Sequence, residues 1–275
     1  MLGTGTPNAD PTRSGPALAI TFGGKAYLVD AGPGVVRRAA AAEQKGVPEL
    51  AQPNLDLIFI THLHSDHTLG LADLMFTPWV LERDHALTLF GPVGSEDMIS
   101  HLSAAYRTDV EMRLSGLEPA NPDGFKVDLT EIGASPLLLD SNGMKVSAIP
   151  VLHGSWKHAF GFKFEAGGKI IVVSGDARPS PTLVEAAKGA DILVHEVYSD
   201  AGWKRREPVW QKYHASFHTS ASELAAIAEK AQPKLLVLTH QLYWGTSDED
   251  LVKEIRAAGY DGPVVSAKDL DIFTP

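Results

Sequence analysis

The chain has 275 residues, 44% of them hydrophobic and 21% charged, with a formal net charge of −10. That composition describes a globular chain able to bury a large core. The acidic balance argues against a broad electrostatic grip on nucleic acid, whose phosphates call for a basic surface. Cysteine is absent, which excludes disulfides, thiolate metal sites and cysteine nucleophiles, so any metal must be held by imidazole and carboxylate. No apolar run approaches the ~18 residues a membrane helix needs. Met1–Pro7 reads as a turn rather than a signal peptide, and the compartment stays open.

Strand-like and helix-like segments alternate along the chain. Ala17–Phe22 and Ala26–Asp30 read as a hairpin turning at Gly23-Gly24. Gly32-Pro33-Gly34 introduces an alanine-rich helix over Val35–Lys45. Leu55–Ile60 reads as a buried strand, Leu69–Phe76 as a short helix and Ala86–Phe90 as a further strand. The stretch from Arg107 to Gly124 reads as irregular and polar. Strand signals resume at Lys126–Ile132, Met144–Pro150, Phe160–Glu165 and Lys169–Ser174. The last third predicts helix at Thr182–Lys188, strand at Asp191–His195, helix at Ala221–Ala231, strand at Leu235–Thr239, helix at Asp248–Ala258 and strand at Val264–Val265. Two β-rich stretches, each followed by helices, predict an α/β fold of two sheets face to face with helices outside, as one domain over residues 1–275.

The dense run of polar ligands is His62-Leu63-His64-Ser65-Asp66-His67, directly after a strand. In an extended backbone His62 and His64 point the same way, and the following loop can turn Asp66 and His67 toward a second point. Exposed loop histidines would be the plain alternative, but this density far exceeds chance for eleven histidines in 275 residues. The same logic of apolar strand followed by polar ligand recurs at His153, Asp176 and His240. Each is weak alone, since a lone histidine after a strand is more often structural. Together they supply enough donors for two metal ions. Imidazole and carboxylate suit zinc, with Mn2+ or Fe2+ compatible with the same donors.

The run His62-Leu63-His64-Ser65-Asp66-His67 is similar to the His-x-His-x-Asp-His signature of the metallo-β-lactamase superfamily, with His153, Asp176 and His240 in the order of its later motifs. The resemblance covers nearly the whole chain. It implies an αββα sandwich and a dinuclear zinc centre. His62, His64 and His153 would hold one ion, Asp66, His67 and His240 the other, and Asp176 would bridge them. Two such ions can generate a hydroxide near neutral pH and polarise the substrate. Members with di-iron redox centres usually carry glutamate where this chain has His64, so the departure speaks against a redox role.

Leu2-Gly3-Thr4-Gly5-Thr6-Pro7, Arg13-Ser14-Gly15, His195-Glu196 and His218-Thr219-Ser220 with Glu223 resemble the ribonuclease Z branch. That resemblance implies Glu196 orienting His218, which protonates the leaving group; with Asp66 they form the catalytic candidates. Structural readings exist for both, a strand-end carboxylate for Glu196 and a capping position for His218. The chain departs from the branch in one respect. Between His153 and Asp176, where the branch carries its tRNA-gripping arm, only a strand pair turning at Gly167-Gly168 fits. The expected substrate is therefore a small anionic ester, a phosphodiester or an aryl sulfate as in arm-less zinc arylsulfatases, with nucleic acid disfavoured and no membrane partner. A homodimer is compatible with the sequence.

For the substrate pocket, Trp203, Arg205, Arg206 and Trp210 are placed on a loop between His195 and His218. Trp156, His214 and Tyr243 complete the candidates. Aromatic packing of loops onto the core is the plainer reading for any one of them. The competing functions are hydrolysis of a lactone, thioester or β-lactam on the same metals, a ribonuclease Z-type endonuclease, and a binding protein that keeps the fold without activity.

Overall fold

The computed structural model describes residues 1–133 and 136–275. The chain divides into two compact units, Met1–Gly3 with Pro7–Ala134, and Thr4–Thr6 with Ser135–Pro275.

The first unit is built on a five-stranded sheet in the order β1-β2-β3-β4-β5. Strands β1 (Leu18–Phe22) and β2 (Lys25–Val29) form the expected antiparallel hairpin. Gly23 and Gly24, at φ 60° and 76°, make its turn, a conformation glycine adopts without steric cost. From β2 the sheet is parallel through β3 (Leu57–Phe59), β4 (Leu87–Gly91) and β5 (Val127–Glu131). Parallel neighbours need crossovers, which α1 (Val35–Gln44), α3 (Leu71–Val80), α4 (Ser95–Ala105) and α5 (Arg107–Ser115) supply. The core strands carry runs such as Leu28-Val29 and Ile58-Phe59, all essentially inaccessible, as sheets covered on both faces require.

Two sequence expectations fail in this unit. Leu55–Ile60 yields only three strand residues, and Arg107–Ser115 is helical rather than irregular. Helix α5 buries none of its residues, so it lacks the apolar stripe by which a surface helix is read. An Asp109–Arg113 pair four residues apart supports it instead, at 3.0 Å.

Helix α3 contains Pro78, which cannot donate to the carbonyl of Leu74. Arg83 fills that vacancy. Its guanidinium, fully buried, donates to the carbonyls of Leu74 (3.0 Å), Met75 (2.7 Å), Leu55 (2.7 Å) and Gly124 (2.8 Å). Burial lowers its pKa to about 10, so Arg83 stays charged at neutral pH. One side chain thus ties α3 to the segments that lead into β3 and β5.

The second unit carries a seven-stranded sheet in the order β12-β11-β10-β9-β8-β7-β6. Strands β6 (Leu137–Ser141), β7 (Met144–Pro150), β8 (Phe160–Ala166) and β9 (Lys169–Val173) run antiparallel in sequence. The β8–β9 hairpin fills the interval between His153 and Asp176, as expected. Strands β10 (Ile192–Tyr198), β11 (Leu236–Leu242) and β12 (Val264–Ser266) then add in parallel. The crossovers are α6 (Pro181–Ala186), α9 (Ala221–Ala231) and α10 (Asp248–Ala257). Helix α9 opens with a capping box between Ser220 and Glu223 and lays Leu224, Ile227 and Ala228 into a core shared with Leu193, Leu236, Leu238 and Ile255.

The expected loop at Trp203–Trp210 is corrected. Residues Asp200–Lys204 and Pro208–Phe217 form α7 and α8. Pro208, at the first helical position, is where proline starts rather than breaks a helix.

Candidate active site

In both units most polar candidates gather where parallel strands end or are interrupted, the place where open α/β sheets present their binding groups; His153, after the antiparallel β7, is the exception.

In the first unit, β3 delivers Thr61 and His62, and the chain turns at His64 into α2, a single helical turn over Ser65–Thr68 that carries Asp66 and His67. His62 Nε2 faces His64 Nδ1 at 2.9 Å, so the two rings converge as two ligands of one ion would. Asp66 and His67 are buried, with His67 Nε2 and Asp66 Oδ2 3.6 Å apart. Asp30, which follows β2 at φ 61°, accepts from His67 Nδ1 at 2.7 Å. It also accepts from the Thr61 amide at 2.8 Å. A carboxylate on Nδ1 fixes the tautomer that presents the Nε2 lone pair as the ligand. Sequence reading overlooked Asp30, although an aspartate directly after an apolar strand is the same signal that singled out Asp176.

In the second unit His153 follows β7, and its Nδ1 donates to the carbonyl of Phe217 at 2.8 Å, again presenting Nε2. Asp176 stands in the loop after β9, with Oδ2 3.4 Å from His240 Nε2 and 3.8 Å from His218 Nδ1. Asp176, His218 and His240 offer ligand atoms all within 4.8 Å of one another, and all three are buried. His240 does not follow the end of its strand, as the sequence suggested. It is the extra residue of a β-bulge inside β11, where Glu196 pairs with Thr239 and Val197 with Gln241, and its φ is 46°. A bulge re-aims a side chain without ending the strand. The amide of Gln241 holds the irregularity by donating to Leu238, Ser266 and Ala267.

Glu196 and His195 are neighbours on β10 with opposite directions. His195 turns away, is fully buried, and donates from Nδ1 to the Glu196 carbonyl at 2.7 Å. Burial holds its pKa down to about 4, so it is neutral. Glu196 Oε1 sits 3.3 Å from His218 Nδ1 and accepts the amides of Thr219 (3.0 Å) and Ala177 (3.3 Å). Burial, and then the nearby Asp176 carboxylate, push the Glu196 carboxyl well above its usual range, against the pull of His240 and the two amides. His218 itself closes α8, in extended backbone.

The pocket candidates have structural partners. Trp203 Nε1 donates to the Gln211 carbonyl at 2.9 Å, fastening α7 to α8. Arg206 lies over the rings of Trp210 (5.6 Å) and Trp244 (5.5 Å). His214 is buried, bonds the Trp210 carbonyl at 2.7 Å, and is lowered to about pKa 4 chiefly by burial. Trp156 and Tyr243 pack on the hydrophobic core, and the Tyr243 hydroxyl donates to Asp248 at 2.6 Å. Arg205 is exposed at the end of α7.

A family model described as a β-lactamase superfamily domain matches residues 25–241. The chain belongs to that superfamily, as a metal-dependent hydrolase of the metallo-β-lactamase type. Within it the chain lies in the ribonuclease Z-like branch. It is 33% identical over 281 residues to ribonuclease Z of Mycobacterium bovis (strain BCG / Pasteur 1173P2), covering 98% of this chain and 95% of that protein. It is also 33% identical over 275 residues to ribonuclease Z of Mycobacterium marinum. Among solved structures, human tRNase Z, short form, superposes with a TM-score of 0.74 at 24% identity over 99% of this chain and 97% of that one. The metallo-β-lactamase fold protein YhfI from Bacillus subtilis gives 0.73 at 17% identity over 98% and 95%. These likenesses establish the expected fold class, the αββα sandwich. The names of the relatives put the expectation of a non-nucleic-acid substrate in doubt. Among the described residues no helix is long and apolar enough to cross a membrane.

Proposed function

We propose that the chain is a dinuclear-zinc phosphodiesterase, with residues 1–275 acting as one catalytic domain. The observation that carries this reading is the buried Glu196–His218 pair, 3.3 Å apart, beside Asp176 and His240. The donor set fits a metal, since His67 and His153 both have Nδ1 committed to an acceptor and so present Nε2. On the family's pattern, His62, His64 and His153 would hold one zinc, Asp66, His67 and His240 the other, and Asp176 both. Bound there, the ions would supply Lewis acidity and lower the pKa of water to roughly 7.

The protein's own contribution is proton delivery. Glu196 Oε1, 3.3 Å from Nδ1 of His218, is placed to take that nitrogen's proton when the pair tightens around substrate, so that Nε2 would carry a proton toward the leaving oxygen of the ester. A phosphodiester needs such an acid when its leaving group is an alkoxide, and the ribonuclease Z names of the relatives favour this branch over aryl sulfate, lactone or β-lactam cleavage. Two results would test the reading together: about two zinc ions per chain by metal analysis, and zinc-dependent hydrolysis of bis(4-nitrophenyl) phosphate exceeding that of 4-nitrophenyl sulfate. Fewer than one ion per chain with no diester turnover after reconstitution would refute it.

A second reading, an RNA endonuclease, is favoured by the 33% identity with ribonuclease Z across nearly the full length. Against it stand the net charge of −10 and the short β8–β9 hairpin in place of an arm. Cleavage of a precursor tRNA carrying a 3′ trailer, at a rate above that for small diesters, would select it.

A further inference from the structure

Helix α8 places Lys212 and Ser216 on one helical row and Tyr213 and Phe217 on the next, each pair four residues apart. These side chains, with Gly154, Ser155 and Arg178, line an open cavity of about 470 Å³ in the second unit. That volume lies within the range of small-ligand sites. Its composition is specific. Tyr213 and Phe217 stack at 4.4 Å with an interplanar angle of 26° and form an aromatic wall. Arg178 and Lys212 provide two cations, and neither is ion-paired to a carboxylate among the described residues. In a chain of net charge −10, two such cations beside an aromatic wall are an arrangement for an anion attached to a flat ring.

The cavity adjoins the candidate catalytic residues through covalent neighbours. Gly154 follows His153, and Phe217 precedes His218. Gly154 has φ 51°, and a Cβ there would come within 2.1 Å of the Phe217 ring, so only glycine lets the ring lie against the chain. The Phe217 carbonyl is also the acceptor that orients His153. The wall of the cavity and the aim of the ligand are therefore set by the same residue.

We propose that this cavity binds an aromatic ring carrying a phosphate, as in a nucleotide, with the ring against Tyr213 and Phe217 and the phosphate on Arg178 and Lys212. The assignment rests on the phosphodiesterase reading only in naming the cavity as a substrate subsite; the binding itself is independent of turnover.

Calorimetric titration of the full-length protein with adenosine 5′-monophosphate, adenosine, phenyl phosphate and inorganic phosphate tests it. The nucleotide should bind about tenfold more tightly than adenosine or inorganic phosphate, and an Arg178→Ala/Lys212→Ala variant should lose about tenfold in nucleotide affinity. Tyr213→Leu should weaken the nucleotide and phenyl phosphate while leaving inorganic phosphate unchanged, a pattern that loss of folding would not produce. Tighter binding of the nucleotide than of phenyl phosphate would identify the ring as a nucleobase, and equal binding would identify a small aryl ester; both support the subsite. Nucleotide affinity unchanged in the double variant, or matched by inorganic phosphate alone, would overturn it. Diester hydrolysis persisting in that case would leave the phosphodiesterase reading intact, whereas charge-dependent nucleotide binding without turnover would sink that reading and keep the subsite.

Discussion

Asp30 Oδ2 lies 2.7 Å from Nδ1 of His67, with both side chains buried. Asp30 also takes the Thr61 amide and hydroxyl, so it braces the entry to the histidine run as well as one ring. Asp30→Asn removes the charge that favours the Nδ1-protonated tautomer. Zinc affinity should fall by about 10–100-fold, read by competition with a chromophoric chelator. An unchanged affinity would show that Asp30 only supports the loop.

The Glu196–His218 pair makes a prediction that separates acid catalysis from ligand support. His218→Ala and Glu196→Gln should each lower kcat for an alkyl-leaving-group diester by about 10²–10⁴. The loss should shrink toward unity with 4-nitrophenolate, which leaves without a proton. Equal losses for both substrates, or loss of bound zinc, would assign His218 to metal binding instead.

Arg83 satisfies four main-chain carbonyls from within the core. Arg83→Met leaves those acceptors dry and should cost at least about 3 kcal/mol in chemical denaturation. Arg83→Lys should recover only part of this, because one ammonium cannot span carbonyls that the planar fork reaches. Near-wild-type stability of the methionine variant would contradict this account.

Asp191 accepts Lys234 Nζ at 2.8 Å and the Ile170 amide at 2.9 Å, and these bonds hold its carboxyl down at about pKa 2. A depressed carboxylate contributes stability that is complete above its unfolded value of 3.8 and disappears as the pH falls through about 2. Asp191→Asn should therefore lower stability by about 1 kcal/mol at pH 7, and the gap should narrow below pH 3.8. Urea midpoints of both proteins across that window check it; a gap that stays constant in acid would refute it.

The strands were legible where burial makes continuous apolar runs, as at Lys169–Val173 and over the first four residues of Leu236–Leu242, read as ending at Thr239. Asp176 was legible for the same reason, because apolar sequence stops just before it, whereas His240 gave the same signal although its strand runs on through Leu242. Helix α5 escaped notice because nothing on it is buried, and α8 because its Trp, Lys and His residues resemble loop composition more than an amphipathic face. Asp30 lay thirty-seven positions from the ring it orients, and only the fold brings such partners together. The direction of Glu196 away from His195 follows simply from strand alternation, but the bulge at His240 has no counterpart in composition.

That bulge has an evolutionary implication. Because His240 is surplus to the β10–β11 ladder, the strand's apolar register runs on through Leu242 around a residue held at φ 46°. Asparagine, which tolerates that left-handed backbone, can thus stand there without unravelling the sheet, and a descendant could shed the imidazole in a single step while keeping its scaffold. Members of such a lineage that lack the imidazole would still be folded proteins.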